Sequence, residues 1–346
     1  MKAVLLRGYG AGDKVGAHVS EVPVPEIGER ELLVRMEACG LCGTDIEKTR
    51  GEYTVAMPIL GHEAVGVVTS VGGDGVGGFR EGDRVFPHHH VPCHECFYCL
   101  HGDETACTGY RTSNIYPGGF SEFFRVPAWN VSKGGVLRLP PGLPCKEASL
   151  IEPVGCCIRA LDKCAVGEGE FALIVGAGPV GMLHSILLGI RRARVVVSDV
   201  SEPRLKFAEK MGVENVMDAR RRDVGREVRE LTAGRGADVA IVASGSPAAL
   251  LQAVKAVRPG GRICLFGVPT KGSILDYDIS ALYNAETSLI PSYGTTDAET
   301  SAALRLIASD TARFSAVVTH SFPIEAFSEA VETATSGTGM KVVITT

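Results

Sequence analysis

The stretch Phe171-Ala172-Leu173-Ile174-Val175-Gly176-Ala177-Gly178-Pro179-Val180-Gly181 decides the fold. Its first five residues form an unbroken apolar run, as a strand buried on both faces of a parallel sheet requires. Gly176, Gly178 and Gly181 then give G-x-G-x-x-G, and Pro179 opens a helix that runs to Ile190. The next strand, Arg194-Val195-Val196-Val197-Ser198-Asp199, ends on an acid eighteen residues after Gly181. Alone the glycine motif is weak and could serve helix–strand packing only. Between a strand and a helix, with an acid at that distance, it reads as a dinucleotide turn. Gly176 makes the bend, Gly178 admits a pyrophosphate against the backbone, and Gly181 lets helix and strand approach. The helix start at Pro179 and Val180 offers free N–H groups to the phosphates. Asp199 suits the ribose hydroxyls of NAD and repels the 2′-phosphate of NADP, although Arg204 could reach the same ribose.

Outward from this unit the pattern repeats. Ser201 is read as the cap of a helix toward Met211, with Pro203 in its first turn. Asp238–Val242 and Arg262–Phe266 read as further strands, with a helix from Pro247 to Val257 between them. Alternation of this kind means an α/β, doubly wound parallel sheet. The first 150 residues differ: short apolar runs such as Leu32–Val34, Ala64–Val68 and Arg84–Phe86 alternate with Gly and Pro, as in a β-rich, barrel-like domain. After about Leu289 a helix over Ala298–Ser309 and a strand over Lys341–Thr345 follow. The chain has 346 residues, beyond the ~250–300 at which single cores stop growing, so two domains are expected.

Composition bounds the function. With 45% hydrophobic and 22% charged residues the chain is globular, and a net charge of −5 gives no basic footprint for nucleic acid or an anionic membrane. The run Arg220–Arg222, flanked by Asp218 and Asp223, reads as a solvated helix start. No apolar stretch approaches the ~20 residues of a membrane span, and the first residues read as a strand rather than a leader, so a cytoplasmic protein is expected. Of eleven cysteines, Cys93, Cys96, Cys99 and Cys107 lie within fifteen residues as Cys-x2-Cys-x2-Cys-x7-Cys. Four thiolates suit a closed, structural Zn²⁺ site. An iron–sulfur cluster is the rival on spacing, and disulfides are disfavoured in a reducing compartment. As a nucleic-acid module the lobe is a poor candidate, because Glu95, Asp103 and Glu104 make it acidic.

A second set is dispersed: Cys42 in Gly40-Leu41-Cys42-Gly43-Thr44-Asp45, then Gly61-His62-Glu63, then Ile151-Glu152-Pro153. Each fragment alone is unremarkable, but a mixed thiolate, imidazole and carboxylate set with one position left open is how a catalytic Zn²⁺ is held. Together with Gly82-Asp83-Arg84-Val85, the four-cysteine lobe, Gly118-Gly119-Phe120-Ser121-Glu122 and the glycine turn, these fragments resemble the zinc-dependent medium-chain dehydrogenases over nearly the whole chain. Glu152-Pro153 resembles the sorbitol (polyol) and threonine dehydrogenase branch.

The resemblance implies a GroES-like catalytic domain over residues 1–152 and 290–346, carrying the lobe at 93–107. A Rossmann NAD-binding domain over 153–289 is inserted in it, with the active site in the cleft between. It implies two Zn²⁺ per chain, one catalytic and one structural, with Cys42 and His62 as ligands of the first and Glu63 and Glu152 competing for the carboxylate role. Thr44 matches the hydroxyl residue that takes the substrate proton. Many relatives have His five residues after the ligand Cys, where this chain has Glu47; the relay then runs through Glu47, His89 or His90, or directly to water. His88-His89-His90 falls where relatives line the substrate pocket, so His89 and His90 would favour a hydroxylated substrate; a structural or solvent-facing run is the other reading. Gly267-Val268 would border the nicotinamide, and Lys341 would approach the pyrophosphate. The implied reaction is hydride transfer from a secondary, polyol or sugar-like alcohol to NAD, in a homo-oligomer of dimeric or tetrameric type. An amino-alcohol substrate, as in threonine dehydrogenase, and a non-catalytic NAD-binding protein are the alternatives.

Overall fold

The computed structural model describes residues 1–7, 16–51, 60–73 and 76–346. It divides into two compact units, one of residues 1–155 with 294–346, the other of residues 156–293.

In the second unit the strand order is Asn215–Asp218, Arg194–Asp199, Phe171–Val175, Ala237–Val242, Val257–Leu265, Ser288–Pro291, and every adjacent pair is parallel. Counted along the chain, that is the 3-2-1-4-5-6 order of a Rossmann sheet. Phe171–Val175 is buried at all five positions, as its unbroken apolar run requires. The helix after it spans Pro179–Ile190, with Pro179 in its first turn, where the missing N–H costs nothing. Ser201 does sit at the start of the helix Glu202–Lys210, yet its hydroxyl makes no capping bond. Its backbone N–H donates instead to Asp199 Oδ1 at 2.7 Å. The arginine run lies just before the helix Val224–Leu231, where Arg220 and Arg221 pair with Asp218, and Arg222 with Glu227.

The first unit is built on a seven-stranded sheet. Its path runs Val318–Pro323, Lys341–Thr345, Leu32–Gly40, Glu63–Val71, Arg84–Pro87, Val136–Arg138, and Phe123–Val126 also pairs with Leu32–Gly40. A two-stranded ribbon joins Lys2–Arg7 to Gly16–Glu21. Leu32, Met36, Phe120, Phe124 and Ile344 fill the core over which these strands wrap. Among the described residues no helix is long and apolar enough to cross a membrane.

Candidate active site and metal centres

Three neighbouring strand ends build the open site. Gly40 ends Leu32–Gly40 and pairs with Glu63 on one side and Val343 on the other. The Leu41 N–H then donates to the Val342 carbonyl, so the chain reaches Cys42 still tied to the C-terminal strand. Cys42 precedes the helix Gly43–Arg50, and the Asp45 carboxylate closes that helix start by accepting the Cys42 N–H at 3.2 Å. Ligand atoms of Cys42, His62 and Glu63 all lie within 4.8 Å of one another.

Asp45 is the residue that sequence reasoning missed. It is fully buried, its Oδ1 accepts the Gly61 N–H at 3.0 Å, and the same oxygen lies 3.4 Å from His62 Nδ1. One carboxylate thus fixes both ligand-bearing segments, and with Nδ1 held there, Nε2 of His62 is the donor left for a metal. Burial alone would raise the Asp45 pKa, but His62, Lys48 and the Gly61 N–H outweigh it and hold it at about 2. Burial likewise opposes a charged His62, yet Asp45 and Cys42 hold its pKa well above the ordinary value. A metal ion bound there would supply positive charge facing Asp45.

Lys341 has a partner that the sequence did not suggest. Its ammonium donates to Glu63 Oε1 at 2.6 Å and also meets Oε2, both side chains being almost wholly buried. Burial would lower the Lys341 pKa; Glu63 first, then Cys42 and Glu152, hold it raised instead. Lys341 therefore sits beside Glu63 in the candidate metal site. Gly40 is required here for space alone, since a Cβ on it would run into Glu63 Oε2 and lie 2.8 Å from Lys341 Cε. Glu152, in the first turn of the helix Ile151–Lys163, is buried and its charge is felt by Lys341. It is not among the residues whose ligand atoms cluster within 4.8 Å.

The histidine row is not solvent-exposed. His88 and His89 are buried, and rings follow one another from His62 to His89 (5.1 Å) and from His89 to His90 (4.1 Å). Burial, aided by mutual repulsion, pushes His88 to about 3, His90 to about 4 and His89 well below the ordinary value. All three are neutral imidazoles near pH 7. The Asn130 amide, fully buried, donates to the carbonyls of His88 and His89 and pins the row. Thr44 and Glu47 lie on the helix Gly43–Arg50 that Cys42 opens, both half-buried.

In the lobe, the sulfurs of Cys93, Cys96, Cys99 and Cys107 lie within 4.8 Å of one another and none is in a disulfide. The Cys96 N–H points at Cys93 Sγ (3.3 Å) and the Cys93 N–H at Cys107 Sγ (3.4 Å), as backbone donors do around metal-bound thiolates. Four soft donors with no position to spare fit a closed zinc site. Cys96→Ser is expected to lower zinc content by one ion per chain and stability by roughly 3 kcal/mol, or about 10 °C in Tm, while the ion at Cys42 stays. Metal analysis beside a melting curve checks this; unchanged Tm with unchanged zinc would refute it.

In the second unit, Gly176 has φ 112° and its N–H donates to the Ser198 carbonyl. A Cβ on Gly181 would collide with the Gly176 carbonyl, so that glycine serves close packing. Gly178 is different: a Cβ there would meet only the Arg204 guanidinium, at 3.8 Å. A cleared helix start beside a cation fits a diphosphate. Asp199 Oδ2 accepts the Ala177 N–H at 2.6 Å, placing the acid against the same turn. Gly267 packs on the Ser244 backbone, and a Cβ on Gly245 would strike the Val268 carbonyl, so these loops crowd together past the ends of their strands.

Comparison with known proteins agrees with this geometry. Residues 28–138 match the alcohol dehydrogenase GroES-like domain, and residues 179–309 match the zinc-binding dehydrogenase family. The L-threonine 3-dehydrogenase of Idiomarina loihiensis is 32% identical over 96% of each chain. The chain belongs to the zinc-dependent medium-chain dehydrogenases. Within that family it falls in the sorbitol and threonine dehydrogenase branch, and it is an alcohol or polyol dehydrogenase by class. The sorbitol dehydrogenase of Halalkalibacterium halodurans is 29% identical over 100% of this chain and 99% of its own. Galactitol-1-phosphate dehydrogenase from Escherichia coli superposes with a TM-score of 0.85 at 25% identity, covering 100% of both chains. Medium-chain dehydrogenases of this branch thus share both halves of the architecture with this protein.

Proposed function

We propose that this dehydrogenase oxidises a secondary alcohol of the polyol or sugar-like class with NAD. The observation that carries the reading is the Cys42, His62 and Glu63 cluster, a mixed donor set, with the rings of His89 and His90 leading away from it. Bound there, zinc supplies a Lewis acid that lowers the pKa of an alcohol, and NAD accepts the hydride. The protein's residues do the rest. Asp45 orients His62, Glu63 and Glu152 share the carboxylate role, and Thr44 takes the proton of the substrate hydroxyl. Glu47, His89 or His90 passes it toward water. Asp199 retains acceptor capacity for ribose hydroxyls beyond the backbone N–H groups it already binds. Arg204 over Gly178 faces the diphosphate, and Gly267-Val268 borders the nicotinamide.

The exposed Ile279, Tyr283 and Leu289 near the edge strand Ser288–Pro291 support a homo-oligomer, a dimer or tetramer. Clustered thiols arranged for metal support a cytoplasmic setting. An amino-alcohol substrate is the second reading, favoured by the identity with threonine dehydrogenase.

Rates of NAD and NADP reduction on a panel of polyols, sugar phosphates and L-threonine test the proposal. NAD is expected to exceed NADP about tenfold or more in kcat/KM, with polyols leading. L-Threonine leading by about tenfold would move the assignment to the amino-alcohol reading.

A further inference from the structure

His90 is held in one tautomer. Its Nδ1 lies 2.8 Å from the Ser113 carbonyl oxygen, which can only accept, so the proton of the ring sits on Nδ1. In a neutral imidazole Nε2 is then an acceptor, able to take a hydrogen bond from a hydroxyl. Ser113 is itself fixed: its hydroxyl accepts the Val91 N–H at 2.8 Å and lies 3.3 Å from the Tyr110 carbonyl.

Tyr110 joins three parts of the unit. Its backbone N–H hydrogen-bonds Cys107 of the lobe. Its ring, 1% exposed, packs on His90 at 5.1 Å and on His88 at 6.3 Å. Its hydroxyl accepts the Thr295 N–H at 3.3 Å, and a Cβ on Gly294 would collide with that oxygen. Gly294, at φ 65°, is the residue at which the chain re-enters this unit. A buried aromatic ring with both ends tied has no freedom to yield, so the His90 ring beside it has one place to stand.

The geometry points to Tyr110 as a positioning residue for substrate selection: its ring, anchored on the lobe, holds His90 with Nε2 presented as an acceptor to a second hydroxyl of a polyhydroxylated substrate. The closed zinc lobe then contributes to specificity through Tyr110, besides its part in stability. This rests on the reading of His90 as a residue of the alcohol pocket. A rigid acceptor favours substrates that carry a hydroxyl near the reacting carbon over simple alcohols that lack one, by the margin of one satisfied hydrogen bond.

Tyr110→Phe, Tyr110→Leu, Tyr110→Met and His90→Asn, each as the zinc-loaded protein, decide the matter. With the polyol that the wild type turns over best, Tyr110→Leu and Tyr110→Met should raise its KM about tenfold or more while kcat stays within about threefold. KM for NAD and zinc per chain should not move, and Tyr110→Phe, which keeps the ring, should restore the polyol KM to within about twofold. The preference for that polyol over 2-propanol should fall with the ring. Tyr110→Met, unbranched and flexible, can adapt to the cavity in case Tyr110→Leu does not fold. An unchanged polyol KM in the ring-less variants, or a loss shared equally with the NAD KM or the zinc content, would overturn the inference. His90→Asn separates the two levels. If it leaves the polyol KM alone, the pocket reading itself has failed and the inference with it; if it raises KM and the ring-less variants do not, only the role of Tyr110 has failed.

Discussion

Cys42→Ala is expected to reduce alcohol oxidation by about a thousandfold or more and to release one of two zinc ions, with NAD binding within about twofold of wild type. Cys42 is the soft donor of a set that otherwise holds one imidazole and carboxylate oxygen, so its loss removes most of what would hold a borderline-soft ion. The Asp45 carboxylate keeps its partners through the change, because it accepts the backbone N–H groups of residues 42 and 61. The glycine turn lies in the other unit and makes its bonds to Ser198 and Asp199. Zinc analysis, a fluorescence titration of NADH and steady-state rates on one preparation read all three quantities. Two zincs and near-normal oxidation in the variant would place the open site elsewhere.

Lys341→Met should be the most destabilising of the substitutions considered, by about 3–5 kcal/mol in zinc-stripped protein. The methionine fills the volume but leaves Glu63, wholly buried, without its cation. Zinc bound at Cys42 and His62 would restore a positive charge, so the loss should be smaller in loaded protein. For the same reason the variant should yield its catalytic zinc to a chelator more slowly than wild type, since Glu63 is no longer claimed by an ammonium. Denaturant midpoints with and without zinc, and chelator competition, check both signs. Equal stability of variant and wild type in the stripped state would refute the account of the pair.

Legibility in the sequence followed the range of the interactions. The glycine turn and Asp199 form a local unit of strand, turn, helix and strand, and periodicity displays all of it. The lobe is local too, its donors falling within fifteen residues. The open site was reached by resemblance, because only strand register brings Cys42 and His62 together, and register is not written in either fragment. Asp45 could have been found: an acid three residues after Cys42 is the pattern of a capping box. Lys341 could not, since its neighbour depends on which strand lies beside Lys341–Thr345. The strand Val318–Pro323 also escaped: its half-buried positions are Val318, His320 and Phe322, and the histidine in the middle interrupts the apolar alternation that would have marked it. Glu152 begins a helix as its neighbours suggest, but where its carboxylate points depends on packing.

The pairing of Lys341 with Glu63 spans 278 positions of the chain, whereas Cys93 and Cys107 are 14 apart. Closing the longer loop costs more chain entropy and must await the last strand. On the ribosome the two metal centres therefore mature on different clocks. The lobe's four donors are all present once residue 107 has emerged, while Glu63 gains its cation only when the strand Lys341–Thr345 has docked.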